Sequence, residues 1–269
     1  MALTDILKKG LKYPQHDFKN AVLFSLLLLL GTILSNIGNH FSLSKANINS
    51  IAGAQNLNEV INGLSTVLTP TQVAILIIFS IASFIVSLFA SGYIYRVYEG
   101  EDELPHFEDY KLMLIQGIKV FIVNLAYCII PIILLVLGLY IAAFNSDIAN
   151  LLIAVSVILG AILIFFISPF AIANMVKENS FKQAFNFNAI GSRIYRIGII
   201  PYLVTVILMG VIEMIIVIAF GVVMLILSLF VVMNPIIGII VLFIMLFVGS
   251  IVCGYVNLFT NKVYQLLYS

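Results

Sequence analysis

Residues 73–95, VAILIIFSIASFIVSLFASGYIY, and the residues 96–111 that follow at once, RVYEGEDELPHFEDYK, decide the fold class of this chain. The first stretch carries no charged side chain, and a helix needs about 20 apolar residues to cross the hydrocarbon core of a bilayer. The second stretch is the most charged part of the chain. An uncharged run of spanning length that ends in a charged loop predicts a transmembrane helix and the water-exposed segment after it.

The rest of the chain repeats this alternation. It is 62% hydrophobic and only 9% charged, whereas a soluble domain carries about 25% charged residues to solvate its surface. Lipid must therefore solvate most of this molecule. We predict a single all-α integral membrane domain with an external polar loop at 38–70, an acidic cytoplasmic loop at 96–111, and six spans at about 20–37, 73–95, 120–144, 148–174, 199–233 and 236–260.

The basic residues are distributed unevenly across these six spans. With the N-terminus inside, only Lys45 lies outside, and 12 of the 13 Lys and Arg residues fall on the cytoplasmic side: Lys8, Lys9, Lys12, Lys19, Arg96, Lys111, Lys119, Lys177, Lys182, Arg193, Arg196 and Lys262. The positive-inside rule favours this arrangement. It predicts a multi-pass protein of the cell membrane with cytoplasmic N- and C-termini.

The run at 199–233 leaves one alternative open. As a single helix it would be roughly 50 Å long at about 1.5 Å per residue, against a hydrocarbon core of about 30 Å. Splitting it would give seven spans and move the C-terminus outside. Because that change moves only Lys262 across the membrane, the charge distribution favours six spans without excluding seven.

Segments with amphipathic helical spacing precede the odd-numbered spans, at 3–12, 107–119 and 181–196. In the second segment the polar residues, Gln116 among them, share one arc, and the third breaks near 188–191. Each suits a basic helix in the cytoplasmic interface. The even-numbered spans also end alike, in Ser91-Gly92-Tyr93, Ser168-Pro169-Phe170 and Cys253-Gly254-Tyr255. We therefore predict a threefold repeat of an interfacial helix followed by a transmembrane hairpin.

Few polar side chains lie inside the predicted spans. Glu213 is the one acidic or basic residue deep in a span, and an intramembrane carboxylate is a functional hypothesis by default, here for binding a coupling ion or a proton. The competing interpretation is a structural side chain that is protonated or paired with an Asn on a neighbouring helix. Asn124 and Asn257 complete the candidate intramembrane polar site, and Asn174 is of the same kind; bonds between helices explain such asparagines more readily than ligand binding.

The remaining polar residues favour no enzyme. The acidic loop, with Glu99, Glu101, Asp102, Glu103, Glu108 and Asp109, would suit Mg²⁺ or Ca²⁺, but a solvated loop whose last acids cap the next helix explains it better. We expect no metal, cofactor or catalytic residue, since the chain has no phosphate-binding glycine loop, no His-Glu-x-x-His helix and no Gly-x-Ser-x-Gly elbow. The candidate contacts for lipid headgroups are Lys8, Lys9, Lys12, Arg193 and Arg196.

Several stretches resemble a known family. They are Gly92-Tyr93-Ile94-Tyr95-Arg96-Val97, Glu99-Gly100-Glu101-Asp102-Glu103-Leu104-Pro105, Phe107 with Asp109, Gly117-Ile118-Lys119, Leu11-Lys12-Tyr13-Pro14, Ala184-Phe185 and Val263-Tyr264. Together they are similar to the domain of unknown function 4013, a largely archaeal family of membrane proteins. The chain departs from that pattern in its long Asn- and Ser-rich first external loop and at Tyr110, where the family often has Trp. The resemblance implies a six-helix membrane protein and supplies no catalytic residues.

Three kinds of function compete. The first is a non-enzymatic scaffold or accessory subunit, in contact with membrane lipids and with a protein partner or further copies of itself. The second is a transporter of a small apolar or amphipathic solute that uses Glu213 for ion or proton coupling. The third, a lipid-modifying enzyme, would need a nucleophile or a metal set in addition to the acidic loop and Arg193 and Arg196. Nucleic-acid binding is not expected, because the basic residues are spread along the membrane face.

Overall fold

The computed structural model describes residues 3–43, 69–100, 102–142, 144–233 and 235–269. Lys45, Glu101 and most of the external loop expected at 38–70 lie outside them. The described residues contain no β-strand and form nine α-helices: α1 (Leu3–His16), α2 (Phe18–Leu43), α3 (Pro70–Glu99), α4 (Tyr110–Ile141), α5 (Ser146–Ala161), α6 (Ser168–Lys177), α7 (Phe187–Ile197), α8 (Ile199–Met233) and α9 (Pro235–Tyr268). A π-helix, Ile162–Ile167, joins α5 to α6, and a 3-10 helix, Phe181–Phe185, precedes α7. The all-α prediction is confirmed.

Six helical units are long and apolar enough to cross a membrane. They are α2, α3, α4, the continuous unit from α5 through the π-helix to α6, α8 and α9, with mean hydropathies between 2.1 and 3.0 in their most apolar windows. The chain is thus a multi-pass membrane protein, with six such helices in the part that the structure describes. The seven-span alternative needs a break inside residues 199–233, but α8 runs through all 35 of them without interruption.

These helices pair as three hairpins. The hairpin partners α2 and α3, α4 and α5, and α8 and α9 contact each other extensively, and α3 and α4 also pack together. The third hairpin closes onto the first, because α9 packs against α2 and α1. The C-terminal parts of α3, α6 and α9 also touch one another, so the ends of the three even-numbered spans converge.

The buried core lies near this convergence, at one end of the bundle. Tyr93, Phe170 and Phe259 are each fully buried there. We call this the basic end, since it also carries Arg96, Lys177, Arg193 and Lys262. The far halves of α8 and α9 are instead covered with exposed apolar side chains, which suit contact with lipid.

Two of the three lead-in segments form separate helices. In α1, Ile6, Leu7 and Gly10 are buried, and Gly10 lies against Phe259 and Val263 of α9. The apolar face of α1 is therefore covered by protein rather than by lipid. Before the fifth span, the break falls at Asn186, between the 3-10 helix and α7, and not at 188–191.

The prediction of a separate interfacial helix at 107–119 is wrong. Residues 110–119 belong to α4, which continues unbroken into the span. Gln116, placed on the polar face by its spacing, is buried, because it lies where α4 crosses α3. The crossing is very close at Gly92 and Gly117: a Cβ on either would overlap a backbone carbonyl of the facing helix.

Candidate functional site

Glu213 faces α9 from the middle of α8 and is half-buried. Its carboxyl oxygen is hydrogen-bonded to the hydroxyl of Thr260, and that hydroxyl is also 2.8 Å from the Val256 carbonyl of its own helix. The carboxyl group therefore has a partner on the neighbouring helix, which is a threonine and not the asparagine that the structural interpretation named.

Pro169 explains the π-helix that joins α5 to α6. Proline has no backbone N–H, so the α-helical donor to the carbonyl four residues earlier, that of Phe165, is missing. The Tyr264 hydroxyl donates to this carbonyl at 2.5 Å, and the Tyr202 hydroxyl donates to the next one, Phe166, at 2.5 Å. Tyrosines from α8 and α9 thus satisfy backbone groups inside the fourth span.

A second pair of tyrosines makes similar hydrogen bonds nearer the basic end. The Tyr98 hydroxyl donates to the Asn261 side-chain oxygen at 3.1 Å, and Tyr268 donates to the side-chain oxygen of Asn174. The amide of Asn174 donates in turn to the Gln183 carbonyl at 2.7 Å. We call Tyr98, Tyr202, Tyr264 and Tyr268 the tyrosine cluster. It joins α3, the π-helix, α6, α8 and α9 through hydroxyl groups.

The structure does not bring the three predicted polar residues of the spans together. Asn124 accepts a hydrogen bond from Ser168 at 2.5 Å, which links α4 to α6 as expected. The Asn257 amide donates to the Cys253 carbonyl of its own helix at 3.1 Å, and within the described residues its side chain makes no bond to another helix. Glu213 meets Thr260 instead of either asparagine. Each asparagine has its own local partner.

The predicted headgroup contacts divide into two groups. Lys8, Lys9 and Lys12 are exposed on α1, and Arg196 is exposed on α7. Arg193 instead turns into the protein: its Nε donates to the Tyr268 carbonyl at 2.6 Å, and its guanidinium carbon lies 5.1 Å from the centre of the Tyr268 ring. The structure therefore assigns Arg193 to holding the end of α9.

The acidic loop is anchored by the side chains between its acids. Leu104 is fully buried, and the Phe107 ring stacks on Tyr93 with 4.6 Å between centroids. Arg96 donates to the carbonyls of His106 and Asp109 at 3.0 and 3.3 Å. Asp109 stands at the N-cap of α4 without a side-chain capping bond. Within the described part of the chain, no three acidic, His or Cys side chains are placed to hold a metal ion.

A pocket of about 360 Å³ opens at the basic end, where α3, α6 and α9 converge. Tyr98, Ala173 and Tyr268 are its buried floor, and the exposed Glu99 and Lys177 stand at its rim. Gln265 of α9 also lines it. Charges of both signs thus meet over an aromatic floor, an arrangement suited to binding a small polar group.

Residues 75–232 match the family described as Protein of unknown function (DUF4013). The chain belongs to this family. The matched region begins in α3 and ends in α8, and it contains the Glu-Leu-Pro run and its anchoring residues. No curated protein and no solved structure matches the chain. The DUF4013 match confirms the resemblance inferred from the sequence and assigns no activity.

Spacing alone did not single out the residues at the centre of this site. Tyr202 and Thr260 lie in runs that are apolar on every side, where helical periodicity identifies no face. The available signal was Pro169, because a proline inside a span leaves a carbonyl that needs a donor from another helix.

Proposed function

We propose that this DUF4013 protein is a non-enzymatic component of the cell membrane, a scaffold or accessory subunit, with its basic end and both termini in the cytoplasm. The distribution of Lys and Arg supports the orientation. The role is supported chiefly by the way polar groups within the spans are used. Glu213, Asn124 and the tyrosine cluster bond to neighbouring helices, an arrangement that holds a bundle together.

The surface offered to a partner is the outer face of α7. Phe187 and Tyr195 are 61% and 79% exposed, and Arg196 is exposed next to them. Large aromatic side chains and arginine are enriched where proteins bind one another. Lys8, Lys9 and Lys12 on α1 are proposed to contact anionic lipid headgroups.

Site-specific photo-crosslinking in the native membrane tests the role. A crosslinking amino acid at Tyr195 should give one discrete protein adduct, either a partner or a second copy of this chain. The same amino acid at Ile207, which is 60% exposed on α8, is the matched control and should give lipid adducts. Lipid adducts alone at both positions would contradict the scaffold proposal.

The orientation is tested separately by a reporter fused after Ser269. It should be active in the cytoplasm. An external signal would overturn the proposed topology without bearing on the role of α7.

A transporter is the second candidate, and the contact between Glu213 and Thr260 beside a π-helix favours it. Short π-helical segments occur frequently at functional sites. Glu213→Gln keeps an oxygen acceptor for Thr260 and removes the titratable group. A proton-coupled transporter should then lose pH-dependent uptake in proteoliposomes, whereas unchanged flux at every pH would remove Glu213 from the mechanism.

A further inference from the structure

A residue that lines the pocket at the basic end has a buried acceptor atom whose hydrogen bonding is incomplete. The Oε1 atom of Gln265 is buried and has no hydrogen-bond partner among the described residues. A buried acceptor left in this state is costly, because it has lost its water without gaining a donor. Gln265 lines the pocket, so a turn of its amide towards the pocket would let a ligand supply the missing donor.

Gly100, next to the pocket, lies close to this glutamine. Gly100 ends α3 in the left-handed conformation, with φ of 98°. A Cβ at this position would lie 2.9 Å from the Gln265 side-chain nitrogen. Glycine therefore allows the loop to approach the amide closely, which fixes the edge of the pocket.

The charges of Glu99 and Lys177 at the rim determine which kind of ligand the pocket can bind. Glu99 is a second acceptor, and its carboxylate, which accepts from the Gln116 amide at 3.4 Å among its partners, has two oxygens with about four lone-pair sites for donors. Lys177 supplies a positive charge on the other side, from α6. The Tyr268 ring already has Lys177 and Arg193 against it, 5.6 and 5.1 Å from its centre. A quaternary ammonium that approached Tyr268 would therefore meet two cations beside the same ring.

We propose that this pocket binds a small zwitterion, with its primary ammonium donating to Gln265 and Glu99 and its anionic group at Lys177. The pocket volume of about 360 Å³ is well above the minimum of roughly 10–15 Å³ that a single water needs, so a small organic group has room there. Phosphoethanolamine has this chemistry and fits this size. The same group occurs as a free solute and as the headgroup of a phospholipid, and both would meet the pocket through the same contacts.

The first test compares two probes on the unaltered protein. In nanodiscs of phosphatidylglycerol, phosphoethanolamine should bind saturably, and phosphocholine, which has no N–H donor, should bind about tenfold more weakly or worse. In mixed nanodiscs, native mass spectrometry should show phosphatidylethanolamine retained over phosphatidylcholine if the lipid is the source. Preference for the ethanolamine form in either experiment supports the site and names its source, and no preference in both overturns it.

The second test uses variants. Gln265→Leu and Glu99→Gln should each weaken phosphoethanolamine, or the retention of its lipid, by about tenfold. Glu108→Gln is the matched control, because it changes an exposed acid of the same loop that does not line the pocket. Binding by Gln265→Leu equal to that of Glu108→Gln would overturn the proposal. Should the variants fail to fold, the comparison of probes still decides it.

Discussion

The hydrogen bond from Tyr264 to the Phe165 carbonyl can be tested by removing the hydroxyl and then restoring the missing donor. Tyr264→Phe keeps the buried ring and leaves the carbonyl without this partner. An unsatisfied buried acceptor costs about 1–3 kcal/mol, and bonds between membrane helices average about 0.6 kcal/mol with a maximum near 1.7. We therefore expect Tyr264→Phe to lower the free energy of unfolding by about 1 kcal/mol.

Pro169→Ala supplies the backbone N–H that proline lacks. In that background the Phe165 carbonyl has a donor of its own, so Tyr264→Phe should cost less than half as much as in the natural sequence. The free energies come from reversible unfolding in mixed micelles with increasing dodecyl sulfate. Equal costs in the two backgrounds would refute the assignment of this bond to the proline.

Tyr93→Phe is the control for removing a tyrosine hydroxyl. Tyr93 is fully buried between the rings of Phe24 and Phe107. Its hydroxyl has no hydrogen-bond partner among the described residues. Removing it should leave stability unchanged or raise it by up to about 1 kcal/mol. A loss similar to that of Tyr264→Phe would show that these substitutions report ring packing and not hydrogen bonding.

Two further predictions concern the contact between α3 and α4. Gly92→Ala should destabilise the protein by about 2 kcal/mol or more, because its Cβ would overlap the Met113 carbonyl. Gly210→Ala is the control, since a Cβ at Gly210 has open space, and it should be neutral or stabilising. Equal effects of the two substitutions in the same unfolding assay would contradict this prediction. Arg96→Lys should loosen the acidic loop, because lysine cannot reproduce the forked contacts of the guanidinium. Faster amide hydrogen exchange across residues 102–109, with no change in α5, is the expected result, and unchanged exchange would show that the buried loop residues suffice.

The number of spans could be predicted because it depends on length and composition alone. A bilayer sets a minimum length for an apolar helix, and the runs in this chain meet it. The positions of the helix ends were harder to predict from the sequence. The helix around the sixth span continues to Tyr268, because nothing after residue 260 interrupts a helix, and the transition from lipid to water leaves no mark on the backbone.

The contacts between helices could not be predicted, for a physical reason. Amphipathic spacing identifies a buried face only when the opposite face is polar, and in these spans both faces are apolar. In α1, Ile6 and Leu7 of the predicted apolar face are buried, but spacing does not distinguish lipid from the protein surface of α9 that covers them. Gln116 shows the converse, because a residue assigned to a polar face proved to be buried against Arg96 at 3.1 Å.

The concentration of polar bonds at the basic end follows from the solvent. In lipid, apolar side chains gain little by leaving the bilayer for a protein interface, so helices associate through close packing and hydrogen bonds. In the third hairpin these contacts lie towards the basic end: Gly254 of α9 meets Ser25 of α2, and Thr260 and Tyr264 bond to other helices. Among the described residues, none lies within 4 Å of a Cβ built on Gly221, in the far half of α8. The basic end therefore determines how these helices are arranged, while the far half of α8 presents an apolar surface to the bilayer.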